Sequence, residues 1–125
     1  REMEQAEEAI SEFERALAIG DSAKTVECAY QLAQCYREVE NWERCAEYLE
    51  TALDEMEEKT GESRLNVLME LGHCQKNMRQ LKRAVRTFQE VDDMNADFKG
   101  VKDEIKQVKK LLGKDGDPDD NISFM

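Results

Sequence analysis

Two stretches of this sequence superimpose at a shift of 39 residues, and that repetition constrains the fold more than any single motif. Gln31–Leu53, "QLAQCYREVENWERCAEYLETAL", lies over Glu70–Asp92, "ELGHCQKNMRQLKRAVRTFQEVD". Leu32 meets Leu71, Ala33 meets Gly72 and Cys35 meets Cys74. Trp42 meets Leu81, Cys45 meets Ala84, Leu49 meets Phe88 and Ala52 meets Val91. Large residues stay large and small ones stay small. The front of the chain carries half of the pattern, with Ala9, Phe13 and Ala16 matching Cys45, Leu49 and Ala52 at a shift of 36. Small residues at spacings of four and three let two helix backbones approach, while the large residue between them fills the gap.

The pattern resembles the tetratricopeptide repeat, in which a large residue, L-G and Y fall on a first helix and A, F and A on a second. In one full repeat those places hold Ala29, Leu32, Ala33 and Tyr36, then Cys45, Leu49 and Ala52. In the next they hold Leu68, Leu71, Gly72 and Gln75, then Ala84, Phe88 and Val91. Ala29 in place of an aromatic, Gln75 in place of Tyr, Val91 in place of Ala and the missing repeat-ending Pro depart from it. The family unit is about 34 residues, so the longer shifts require longer connections. "IGDSA" and "KTGES" supply them, each with Gly to end one helix and Ser to cap the next.

These signals predict six helices, over 2–19, 22–39, 42–59, 63–79, 81–94 and 97–112. The resemblance implies an all-α, right-handed superhelical solenoid of antiparallel helix pairs. Its parts are the second helix of a truncated repeat (1–20), two repeats (21–60 and 61–96), a closing helix (97–113) and an acidic tail (114–125). In the closing helix Phe98, Val101, Ile105, Val108 and Leu112 share one face, Asp97 is the expected N-cap and Gly113 the expected stop. The first helix pairs with nothing before it, so the chain reads as the C-terminal piece of a longer repeat protein, with a bacterial look to "FKGVKDEI". Met3, Ala6, Ile10, Phe13 and Leu17 give that helix an apolar stripe, a candidate homodimer contact.

The formal net charge of −11 argues against a nucleic-acid binder, which needs an excess of Lys and Arg. Residues 1–61 carry 17 acidic and 6 basic side chains, whereas 62–113 carry 8 acidic and 11 basic. No apolar run is long enough to span a membrane. A cytoplasmic location follows as the expectation, with four reduced thiols.

"LGHCQ" places His73, the single histidine, beside Cys74. Neighbours on a helix point about 100° apart, which excludes a hydrogen-bonded catalytic pair. One histidine and no C-x-x-C cannot complete the usual zinc sets. Cys28, Cys35, Cys45 and Cys74 are read as small apolar residues in helix contacts. No glycine-rich phosphate loop or Ser/His/Asp set occurs. An enzyme, a metal centre and a cofactor are therefore not expected. The tail "KDGDPDDN" has alternating aspartates but lacks the Gly and Glu of a calcium loop, and the terminal "SFM" matches a PDZ-type ligand only over three residues.

The resemblance also implies an inner surface lined by the first helix of each repeat. Its exposed places hold Glu27, Tyr30, Gln34, Arg37 and Glu38, then Asn66, Met69, His73, Lys76 and Asn77. Tyr30 and Met69 would offer apolar contact, the amides and His73 would hold a peptide backbone, and Arg37 with Lys76 would favour an acidic ligand. The Lys and Asn with which relatives clamp a chaperone's C-terminal carboxylate are replaced by Tyr30 and Gln34, and by Met69 and His73. Two functions stay open: a scaffold binding a peptide or helix of another protein in this groove, and a structural end-cap of a longer solenoid that mediates assembly.

Overall fold

The computed structural model describes the backbone of residues 2–19, 22–58 and 60–115 and the side chains of 7–19, 24–58 and 60–113. Six helices account for most of it: α1 (Glu2–Ile19), α2 (Ser22–Glu38), α3 (Trp42–Glu55), α4 (Glu62–Asn77), α5 (Leu81–Met94) and α6 (Val101–Asp115). Among the described residues there is no strand. The chain is an all-α helical repeat, and it divides into two compact units, Arg1–Val67 and Leu68–Met125.

Within the first unit α2 packs against both α1 and α3. Ala29, Leu32, Ala33, Cys45, Leu49 and Ala52 are fully buried, which is the small–large alternation seen in the sequence. Tyr36 and Trp42 are half-buried. The phenols of Tyr36 and Tyr48 stack with centroids 5.7 Å apart and planes 6° apart. Both hydroxyls donate to Glu14 Oε2 of α1, at 3.2 and 3.3 Å, which ties α1 to the α2–α3 pair. Burial first, and the Glu14 charge second, push both phenols above their usual pKa, so they remain donors.

In the second unit Phe88, Val91 and Leu81 of α5 and Val101 and Val108 of α6 are fully buried. A Cβ on Gly72 would lie 2.6 Å from Phe88 Cε1, so the glycine is required by the close approach of this ring. Gln75 and Thr87 occupy the repeat places of Tyr36 and Tyr48, and both are buried. There Thr87 Oγ1 donates to Gln75 Oε1 at 2.6 Å, a hydrogen bond in place of the stacked phenols.

The repetition extends to the backbone. After α2 the Asn41 N–H reaches Tyr36 O at 2.9 Å, with Glu40 left-handed at φ 60°. After α4 the Gln80 N–H reaches Gln75 O at 2.8 Å, with Arg79 at φ 62°. Each is a helix end closed by a bond spanning six residues, which normally takes Gly at the left-handed place. A side chain there costs about 1–2 kcal/mol. Glu40→Gly and Arg79→Gly are each expected to raise stability by about 0.5–1 kcal/mol, after the entropy of the added glycine is deducted. Urea denaturation of each single variant measures it; a loss of stability would show that the side chain holds the turn.

Several expected boundaries are corrected. α3 ends at Glu55 rather than residue 59, because Met56 is extended and Arg64 Nη1 donates to the Leu53 carbonyl at 3.1 Å, satisfying a helix-end acceptor. Ser63 lies inside α4, and Gly61, at φ 111°, provides the first carbonyl to Leu65 N–H at 3.0 Å. α6 starts at Val101, not 97. The Asn95 side chain accepts from Asp97 N–H at 3.1 Å, and Lys99 and Gly100 are left-handed, so the chain turns before the helix begins. Gly113 does not end α6, which runs on to Asp115. Gly20, Asp21, the Met3 and Ala6 side chains and residues 116–125 lie outside the described residues.

Candidate functional site

Three of the expected groove residues come together in the first unit. Val26, Glu27 and Tyr30 of α2 face Ser63, Asn66 and Val67 of α4 across a cavity of about 370 Å³, with Met56 between α3 and α4 completing the lining. Helical spacing explains the set, since Glu27 and Tyr30 lie three residues apart on one face of α2, as Ser63 and Asn66 do on α4. Val26, Tyr30 and Met56 are half-buried and Val67 is buried, so the wall is apolar, while Glu27 and Ser63 are exposed at the rim. Met56 and Val67 are in this lining without having been expected there. Met56 becomes available because α3 stops short, and a repeat pattern that runs α3 to residue 59 conceals it.

Gln34 and Arg37 continue the same face of α2 and bond to each other, with Arg37 Nη1 donating to Gln34 Oε1 at 3.4 Å. In the second unit the expected residues have different surroundings. Met69 is only 6% exposed, which corrects its assignment as an open apolar contact. Lys76 Nζ donates to Glu104 Oε1 at 3.3 Å and to Gln107 Oε1 at 3.2 Å, both on α6. His73 Nε2 lies 3.4 Å from the other Glu104 oxygen, and its ring meets Phe88 edge-on with centroids 5.4 Å apart. Asn77 is exposed at the end of α4.

Cys28, Cys45 and Cys74 are buried and Cys35 is half-buried, all as free thiols. Burial and the Glu38 charge push the Cys35 thiol up, which lowers its thiolate fraction and its reactivity. Among the described residues no group of three His, Cys, Asp or Glu side chains could hold a metal ion. None of the described helices is long and apolar enough to cross a membrane.

The family model of the tetratricopeptide repeat matches residues 65–98, from the first turn of α4 through α5 to the turn before α6. This segment is a tetratricopeptide repeat. No curated protein matches the chain. The matched segment contains Gly72, Gln75, Ala84, Phe88 and Val91, the residues that carry the pattern in the sequence. Tetratricopeptide repeats are non-enzymatic units that mediate protein–protein interaction.

Proposed function

We propose that this protein is a non-enzymatic interaction module that takes a segment of a partner protein on α2 and the first turns of α4. The cavity walled by Tyr30, Met56 and Val67 carries the reading, because it offers an apolar anchor point beside amide and hydroxyl groups. Gln34 and Arg37 extend the surface along α2. The repeated helix-end geometry supports α2–α3 as a further repeat beside the matched one. Burying one large apolar side chain in the cavity would contribute about 1.5–3 kcal/mol.

A structural role is favoured for the second unit by a separate observation. Glu104 and Gln107 of α6 engage His73 and Lys76, so the closing helix itself supplies the acidic contact that those residues were expected to offer a ligand. On this reading α6 caps the repeat and the first unit receives the partner.

Selection of random displayed peptides on the immobilised protein tests the proposal. Bound peptides are expected to perturb the amide resonances of Glu27, Tyr30, Asn66 and Val67, and Tyr30→Ala is expected to weaken them about tenfold or more, with circular dichroism unchanged. Peptides that bind without perturbing these residues, and that tolerate Tyr30→Ala, would place the interaction elsewhere.

A further inference from the structure

Resting on the reading of the α2–α4 cavity as a partner site, we infer that its ligand is a basic peptide segment presenting one large apolar side chain between lysines or arginines. The volume sets the first half. At about 370 Å³ the cavity is near the lower end for binding pockets, with room for at least one leucine-, methionine- or phenylalanine-sized group among Val26, Tyr30, Met56 and Val67.

Charge sets the second half. Glu27 is exposed in the lining itself. Glu55 and Glu57 flank Met56 and Glu62 precedes Ser63, and all three are exposed. The Glu58 carboxylate folds over Gly61 at the start of α4, where the helix dipole favours it. The cations nearby in the chain are fewer. Arg64 is engaged by the Leu53 carbonyl, Lys24 lies exposed one turn before Glu27 on α2, and Lys59 follows Glu58 in the sequence. Over residues 1–67 there are 18 acidic and 7 basic side chains, so the field of the whole unit attracts cations toward this cavity. The acidic ligand expected from Arg37 and Lys76 is thereby reversed, since Arg37 bonds Gln34 and Lys76 bonds Glu104.

Three labelled probes on the full chain test this by fluorescence anisotropy: a lysine-flanked peptide with a central leucine, the same peptide with a central alanine, and a glutamate-flanked peptide with a central leucine. The lysine–leucine peptide is expected to bind best, with the alanine version weaker by about tenfold. Its affinity should fall as salt rises. Glu27→Lys, at an exposed position, is expected to weaken it by about tenfold, and Ser63→Phe, which fills the cavity from its rim, to do the same. Equal or tighter binding of the glutamate–leucine peptide would overturn the basic ligand while leaving the cavity as the site. Binding of the lysine peptides that ignores the central residue and Ser63→Phe would reduce the interaction to charge alone and overturn the anchor. Absence of binding by all three probes overturns the inference, and the resonance mapping of selected peptides then decides separately whether the cavity is a site.

Discussion

Phe88→Ala is expected to remove about 3–5 kcal/mol of stability. The ring is fully buried and presses on the bare backbone of Gly72, so its removal leaves a void along α4 that the helix cannot close without moving. His73 loses its ring contact in the same change. The converse substitution, Gly72→Ala, adds a methyl 2.6 Å from a ring carbon. Alanine's better helix propensity returns about 1 kcal/mol, against an overpacking cost of about 1–3 kcal/mol, so a net loss is expected. The first unit shows the alternative solution, because Ala33 and Leu49 occupy the equivalent places, both fully buried. Combining Gly72→Ala with Phe88→Leu recreates that pair in the second unit. The double variant should be more stable than the sum of the single changes by about 1–2 kcal/mol in urea denaturation. Strict additivity would mean that Gly72 and Phe88 do not constrain each other.

Thr87→Val should cost about 1–3 kcal/mol, far more than a methyl-for-hydroxyl exchange costs on a surface. Shape is kept and the 2.6 Å hydrogen bond is lost, leaving Gln75 Oε1 without its donor at a position 5% exposed. Gln75→Leu should cost less, because the Thr87 hydroxyl can turn to the carbonyl one turn earlier on α5. Making both changes removes donor and acceptor together and is expected to be close to wild type by thermal denaturation. A double variant as unstable as Thr87→Val would show that the pair does more than satisfy itself.

The sequence by itself determined the helix count and the register of the repeats. Size alternation at Leu32, Ala33, Cys45, Leu49 and Ala52, and again at Leu71, Gly72, Ala84, Phe88 and Val91, is a direct imprint of which positions helices press together. It also placed Glu27, Tyr30 and Asn66 on facing helices, because helical spacing fixes which residues share a face. Tertiary structure decided what spacing leaves undetermined. Where α3 stops depends on Arg64, eleven residues beyond Leu53, reaching the Leu53 carbonyl in its last turn, and that stop is what brings Met56 into the cavity. Whether Lys76 and His73 face a partner or their own chain depends on Glu104, which lies 28 residues beyond Lys76. The exchange of stacked Tyr36 and Tyr48 for hydrogen-bonded Gln75 and Thr87 has the same origin. A period in the sequence records that two positions meet, whereas the chemistry of their meeting depends on partners distant in the chain, and only the folded backbone brings those together.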